Sequence, residues 1–563
     1  MPNKQTSIKI SVVLATMLVA TNGAFGAPDA GSIQKEIEKN LEKQTPIQKK
    51  SEKIDTSLVD DKIKVKVKAF KFSGNTIVST AELEKITQPY IGQELGFGSL
   101  QKIVGAVSDY YAQQGGLAKV YLPKQDITSG IVTIAIIEGK LNSVVVDNKE
   151  AKLGVAKAEK YIYAENIKGE PIKNKELSRA LMNLNDLGGL RATSSLAPGA
   201  AEGSSDLVIK LKDTTKFSAD AGVDNYGSLS TGKIEFSAGV NINNISNSEL
   251  YDTLNIRAMA TEGVRFARAG YSLPVGYAGD KVGVALSAMK YRLIEGNYNS
   301  TNGEGYSTTL SANWSHPFVR SKELNINLNT EAAYKNYSNK VDSDLTSIKK
   351  VGLVSATLSV DKADAFLGGG QNSASLALTY GKLMLSGLAS NFDTDQTSAK
   401  TDGAYLKYAL NLNRTQLISD SLILQGSLQA QASNKNLDSS EEISLGGAYG
   451  VRAYPTSEAS GDMGYLASLE LKHATTTELT TSIFADYGRI MTNKTQWDGA
   501  ANVGSTLGGY GIGANYVTSF NLSIKAQAAR RLITKYEGQA NGNNSDGSKS
   551  TDNRYWLSAT YFF

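Results

Sequence analysis

The chemistry open to this chain turns on one arginine and one carboxylate. Arg452 lies in the run Leu445-Gly-Gly-Ala-Tyr-Gly-Val-Arg-Ala-Tyr-Pro455, which Ser460-Gly-Asp-Met-Gly-Tyr465 follows; Asp486 lies in Phe484-Ala-Asp-Tyr-Gly488. A run so rich in glycine reads as a loop, and here it carries an arginine among aromatic and apolar neighbours. Asp486 sits at the end of an alternating strand, on the opposite face from Ala485 and Tyr487. A guanidinium is always charged and forks onto a carboxylate through two hydrogen bonds. The pattern suggests that Arg452 docks on Asp486 and pins the loop to the wall that carries the strand. A solvated surface arginine fits the same spacing, and spacing alone leaves both readings open.

Other chemistry is thinly supplied. The only two histidines, His316 and His473, stand far apart in sequence, in or beside strand-like segments. The chain contains no His-Glu-x-x-His, no Gly-x-Ser-x-Gly and no phosphate-binding Gly-x-x-x-x-Gly-Lys-Ser/Thr. No catalytic residue, metal ligand set or cofactor is therefore expected, and the chain does not read as an enzyme. Gly509, Gly511 and Gly513 alternate within one strand and suit a thinned wall better than a nucleotide site. Cysteine is absent, and 59 basic against 55 acidic residues leave a net charge of +4. That balance is too mild to imply nucleic acid.

The elements that must position the pair emerge along the chain. Lys4 and Lys9, the apolar run Ile10 to Ala20 and the small residues Gly23 to Ala27 read as a cleavable signal peptide over 1–27. Residues 28–62 are polar. Ile33, Ile37 and Leu41 recur at helical spacing with Ser32 as candidate N-cap, predicting a helix over about 30–43 and then a linker. Residues 63–140 read β-α-α-β-β: a strand from Ile63 to Ala69, helices Thr80–Tyr90 and Ser99–Gln114, a C-cap at Gly115-Gly116, and two closing strands. The second helix is expected to bury Leu100, Ile103, Val107 and Tyr110. Residues 141–213 repeat that order more loosely, around a helix from Asn174 to Leu187. Open sheet edges on 63–213 could accept an extended peptide as an added strand.

From about 214 helical periodicity is lost. Sixteen alternating segments separated by Asn, Ser, Gly and Asp clusters run to the C-terminus, as expected of tilted membrane strands in a β-barrel over 214–563. Connections after the fifth, seventh, ninth, eleventh, thirteenth and fifteenth strands are predicted long and those after even strands short. This places the Arg452 loop, 433–462, outside and both chain ends in the periplasm. Tyr555, Leu557, Ala559, Tyr561 and Phe563 share one face of the last strand.

These residues together resemble the transporter half of two-partner secretion systems, within the wider family of outer-membrane barrels that carry periplasmic polypeptide-transport (POTRA) domains. Tyr110-Tyr-Ala-Gln-Gln-Gly115, Pro123-Lys-Gln-Asp126 and Gly130-Ile-Val-Thr-Ile-Ala-Ile-Ile-Glu-Gly139 look like the first POTRA signature of that family. Ala180-Leu-Met-Asn-Leu-Asn-Asp-Leu187 and Leu196-Ala-Pro-Gly199 look like the second. Val451, Arg452, Ala453 and Tyr454 stand where the family has Val-Arg-Gly-Tyr/Phe; Phe484, Asp486 and Gly488 match its Phe-x-Asp-x-Gly. Ala453 in place of glycine would resist a left-handed backbone.

The resemblance implies a transmembrane β-barrel of 16 antiparallel strands preceded by two POTRA domains (63–140 and 141–213) and a short N-terminal helix. It implies a lid loop (433–462) folded into the lumen with Arg452 on Asp486, and helix 30–43 as a candidate plug. The implied function is translocation of a partner exoprotein across the outer membrane of a Gram-negative bacterium, with the partner's N-terminal secretion domain captured on the periplasmic repeats. Outer-membrane lipids, and the barrel-assembly machinery reading the C-terminal Phe563, are the other implied partners. A general barrel-assembly insertase is the alternative, and a diffusion porin a more distant one.

Overall fold

A computed structural model describes residues 28–43, 64–113, 118–138, 140–200, 204–296, 301–497, 504–533 and 543–563. The expected signal peptide, the 44–62 linker and the Gly115-Gly116 cap lie outside these. Helix α1 (Ala30–Glu42) opens the described chain. Its N-cap is Asp29 rather than Ser32. Asp29 accepts from the Ser32 backbone N–H at 2.9 Å, and the Ser32 hydroxyl accepts from the Asp29 N–H, so both residues close one capping box.

The first periplasmic unit comprises β1 (Lys64–Lys66), β2 (Ala69–Ser73), α2 (Thr80–Thr87), β3 (Glu94–Gly96), α3 (Phe97–Gln113), β4 (Ala118–Tyr121) and β5 (Ile131–Glu138). The single strand expected over 63–69 is two. β1 pairs with β3, whereas β2 joins a three-stranded sheet of order β2-β5-β4. The alternation runs unbroken through buried Val67, so periodicity carries no mark of the change of partner. Helix α3 buries Leu100, Ile103, Val107 and Tyr111; Tyr111, rather than Tyr110, is the fully buried tyrosine. Its hydroxyl donates to Glu138 at 2.7 Å, beside the backbone N–H groups of Thr76 and Ile77 at 2.6 and 2.8 Å. Burial would raise the Glu138 pKa, but these donors and the Thr76 hydroxyl outweigh it and hold the carboxylate below its usual range. Glu138, next to last in the first signature, thus ties β5 to α3 and to the turn that precedes α2.

The second unit comprises β6 (Lys140–Glu150), α4 (Val155–Tyr163), α5 (Asn174–Asn185), β7 (Leu190–Pro198) and β8 (Ser204–Asp213), with sheet order β6-β8-β7. Helix α4 was not expected from the sequence, and it completes the repeat: in both three-stranded sheets the first strand, β2 or β6, runs parallel to the last, which occupies the centre.

Next come β9 (Phe217–Asp224), β10 (Glu235–Asn243), β11 (Thr253–Ala260), β12 (Val264–Val275), β13 (Asp280–Arg292), β14 (Glu304–Arg320), β15 (Leu324–Val341) and β16 (Asp344–Asp364). They continue with β17 (Gly370–Met384), β18 (Gly403–Ser419), β19 (Leu422–Ser433), a small ribbon β20 (Ile443–Ser444) and β21 (Ser460–Gly461), then β22 (Met463–Ala474) and β23 (Leu479–Met491). The chain ends with β24 (Gly504–Val517), β25 (Leu522–Arg531) and β26 (Asn553–Phe562). All but the ribbon form one closed antiparallel barrel of sixteen strands, in which β26 pairs back onto β9.

Alternation sorts the two faces. Leu286 and Leu310 are 57% and 59% exposed, while Ser287 and Thr309 beside them are 3% and 8% exposed. The outer face is apolar, with Tyr306, Tyr334, Tyr380, Tyr408, Tyr487 and Tyr510 among its exposed aromatics. The lumen face mixes polar residues with apolar patches and is covered from within. The long connections share one end, with one exception: the seventh and eighth strands, β15 and β16, run on past the expected turn, and only 342–343 join them. Outside the apolar band hydrogen-bonded pairing can continue in water, so strand length there is set by the hairpin and not by the membrane. Among the described residues no helix is long and apolar enough to cross a membrane.

At the short-turn end the second periplasmic unit is joined to the barrel. Tyr251, in the turn after β10, is buried in that unit's core. Its hydroxyl donates to Asp213 at 2.5 Å and accepts from the Leu153 N–H at 3.1 Å. Tyr277 meets Tyr161 edge to face at 5.2 Å, and Arg320 forks onto Asp186 at 2.8 and 2.9 Å.

Candidate functional site: the lid loop and the lumen wall

The loop between β19 and β22 does not extend into solvent. Leu445, Val451, Ala453, Tyr454 and Ala459 are fully buried against Leu466, Phe484, Ile490 and Leu507 of the wall. Apolar contact therefore brings the loop inside the barrel, and Arg452 supplies the specificity. The arginine is 5% exposed and Asp486 2%. Its Nε and Nη2 donate to the two Asp486 oxygens at 2.8 Å each, and its backbone N–H donates to the same carboxylate at 3.1 Å. Nη1 donates to Glu470 at 2.9 Å, Nη2 also to the Ser468 hydroxyl at 3.1 Å, and the guanidinium lies 3.3 Å above the centre of the Phe484 ring. A cation removed from water is tolerable only with its donors satisfied in this way.

The remaining motif residues have steric or bridging parts. The Trp556 indole donates to the Arg452 carbonyl at 2.7 Å. Arg531 donates to the Ala453 carbonyl at 3.2 Å and stacks on Tyr454 with its carbon 4.3 Å from the ring centre, while the Tyr454 hydroxyl donates to the Ile533 carbonyl. Gly488 leaves room for Leu445: a Cβ there would stand 2.9 Å from a leucine methyl. Gly509 does the same for Ala453, whose methyl lies 2.5 Å from where a Cβ would be. Of the alternating glycines on β24, Gly509 receives the loop, Gly511 leaves room for the Phe484 ring beneath Arg452, and Gly513 faces Ser482 of the wall. Ala453 is not among the residues with positive φ; Ser457 and Ala459, at 61° and 58°, carry that conformation instead. An alanine at 453 thus meets no left-handed backbone.

Sequence reasoning missed Glu470, Ser468, Trp556 and Arg531. Parity places Ser468 and Glu470 on the lumen face, opposite Leu469, but not within reach of Arg452. Of the histidines, His316 stacks on Trp314 and contacts Asp280 at 2.9 Å on the outer face, and His473 is an exposed residue near the end of β22.

The second occupant of the lumen is α1. The Ala30 N–H donates to Asn339 at 2.9 Å, and the Gln34 amide donates to Ser287 and Thr309 at 3.0 Å each. All three partners are lumen-facing residues of β13, β14 and β15. Ile37 packs among lumen side chains including Met259, Phe266 and Tyr337.

A family profile described as haemolysin secretion/activation protein ShlB/FhaC/HecB matches residues 203–516, more than half of the chain, and one described as POTRA domain, ShlB-type, matches 65–139. The chain belongs to the ShlB/FhaC/HecB family. Heme/hemopexin transporter protein HuxB of Haemophilus influenzae (strain 86-028NP) is 27% identical over 98% of both chains. Outer membrane transporter CdiB of Dickeya dadantii (strain 3937) is 22% identical over 71% of this chain and 70% of its own. Among solved structures, CdiB from Escherichia coli superposes with a TM-score of 0.63 at 20% identity, covering 94% of this chain and 98% of that one. BamA from Haemophilus ducreyi lacking POTRA domains 1–3 gives 0.53 at 12% identity, with 90% and 100% covered. This member of the ShlB/FhaC/HecB family is an outer-membrane transporter for a secreted partner in two-partner secretion, with its POTRA repeats in the periplasm.

Proposed function

We propose that the periplasmic repeats, 63–140 and 141–213, take up an unfolded exoprotein through its N-terminal secretion domain and pass it into the barrel of 214–563, once an export signal at 1–27 has been removed. Each repeat has a three-stranded sheet and hence two edge strands, β2 and β4 in one and β6 and β7 in the other. An incoming extended segment can add to such an edge through main-chain hydrogen bonds, with little demand on its sequence. Folding outside the cell supplies direction, since outer membranes offer no ATP. The loop at Arg452 acts as a lid and α1 as a plug. C-terminal Phe563 addresses the chain to the barrel-assembly machinery, and the apolar outer face meets lipid.

The observation that carries this reading is a closed barrel whose lumen holds two elements, a helix and a loop, with a POTRA unit joined to its short-turn end. The full-length match to a haem/hemopexin transporter makes a haem-related exoprotein the first cargo to try. The test is co-expression with such a partner. Export to the medium is expected from the intact chain, and retention in the periplasm when the first repeat, 64–138, is deleted from a barrel that still reaches the outer membrane. Equal export from both would overturn capture by the repeats.

A further inference from the structure

Charged contacts hold the loop at places away from Arg452 as well as at it. Before it reaches the ribbon it passes along another stretch of the wall, where Lys335, Lys349 and Lys407 of β15, β16 and β18 face the lumen. Glu441 takes Lys335 at 2.9 Å and also pairs with Lys407; Asp438 takes Lys349 at 2.6 Å. The polarity is the reverse of that at the tip: here the loop brings the carboxylates and the wall brings the cations. Lys349 has a second partner, because Asp29, the N-cap of α1, stands 2.6 Å from the same ammonium. Ser439 of the loop also donates to Asp29 at 2.9 Å. Helix and loop touch elsewhere in this region, through Lys35 donating to the Glu442 carbonyl and through Gly31 lying against Ser440.

We propose that Lys349 is a positioning residue for both obstructions, one cation for which the helix (Asp29) and the loop (Asp438) compete. The proposal rests on α1 being the plug. Each carboxylate divides its work in the same way. Asp29 uses one oxygen to cap its own helix and the other for Lys349. Asp438 uses one for Ser440, at 2.8 Å to the hydroxyl, and the other for Lys349. Two like charges on one cation each weaken the other's hold. When the helix leaves, Asp438 takes the whole of Lys349 and the first limb of the loop is gripped more firmly. Release is therefore sequential, with the helix going first while the loop is held. Lys335 and Lys407 on Glu441 keep the same limb in place during that step.

Competition fixes opposite signs for two isosteric changes, and this is what the experiment reads. Asparagine caps a helix as well as aspartate does, so Asp29→Asn removes the charge and keeps the cap; Asp438→Asn likewise keeps its contact with Ser440. The measurement is planar-bilayer conductance of the full mature chain, scored as the fraction of time at the level shown by a deletion of 30–42. Asp29→Asn is expected to raise that fraction about tenfold, the equivalent of about 1.4 kcal/mol. Lys349→Met is expected to raise it further, since two carboxylates then lose their cation. Asp438→Asn is expected to lower it, because Asp29 gains an undivided partner. Lys349→Arg keeps the charge and serves as the control for folding and insertion. If Asp438→Asn raises opening as Asp29→Asn does, helix and loop leave as one unit and competition is overturned. If the 30–42 deletion conducts no more than the intact chain, the plug reading fails instead, and the proposal falls with it.

Discussion

The two elements in the lumen are held by different kinds of contact. The helix α1 presents few buried apolar side chains, Ala30 and Ile37, and meets the wall through neutral hydrogen bonds from Gln34 and the Ala30 N–H, a long Glu38–Arg268 ion pair at 3.8 Å, and one lysine shared with the loop. The loop tip buries Leu445, Val451, Ala453 and Tyr454 and satisfies one arginine with a carboxylate, a second acid, a hydroxyl and an aromatic face. Neutral hydrogen bonds to a wall that water can reach contribute about 1 kcal/mol each, because water replaces them on release. Burial of a large apolar side chain contributes about 1.5–3 kcal/mol, and breaking a buried ion pair from one side costs about 3–5 kcal/mol. The helix is thus built from exchangeable contacts and the tip from contacts that are costly to break. That is the pattern expected if the helix vacates the lumen for cargo and the tip keeps the barrel wall in register.

Several substitutions would break or sharpen this contrast. The largest effect is expected at Arg452→Ala, which leaves Asp486 buried and unpaired. Export of the partner should fall by about a hundredfold or more, the equivalent of the roughly 3–5 kcal/mol of such a loss, while immunoblots of outer membranes show undiminished protein. Unchanged export at wild-type level would remove the tip from the mechanism. Next in size, Gly509→Val should drive its side chain into Ala453 and loosen the tip by about 1–3 kcal/mol, as overpacking does; protease cleavage within 445–459 on intact cells should then accelerate. A smaller change is expected from Ala453→Gly, which restores the residue usual in the family. With no left-handed backbone to relieve, the added freedom should cost about 0.5–1 kcal/mol, read as a slight loss of thermal stability; a gain would mean that alanine strains the tip. Comparably small, Gln34→Ala should shift helix release by about 1 kcal/mol, seen as a few-fold rise in open fraction with export intact. A loss of export from Gln34→Ala as deep as that from Arg452→Ala would erase the distinction between the two elements.

Much of this was legible in the chain, and the failures are instructive. Sixteen barrel strands follow from alternation because lipid and lumen impose period two on each segment. Where the membrane stops imposing that requirement, the reading failed: β15 and β16 continue to a hairpin at 342–343, in residues polar enough to pass for a loop. Helix α4 escaped notice because its buried Ala158, Tyr161 and Ile162 span little more than one turn, too short for a period to register. The split of the first strand into β1 and β2 left no trace because alternation is the same whichever sheet receives it.

The sequence by itself determined the alternating segments, the two repeats and the family motifs with Arg452 and Asp486 in them. These are local properties, set by which residue types recur at which spacing. The tertiary structure alone decided what stands across the lumen from what. Glu470, Ser468 and Phe484 surround Arg452, Trp556 and Arg531 bind the carbonyls of the tip, Ala453 rests on Gly509, and Lys349 lies between Asp29 and Asp438. Closing sixteen strands into a ring brings together residues hundreds of positions apart, and no periodicity within a strand encodes which of them will meet at the centre.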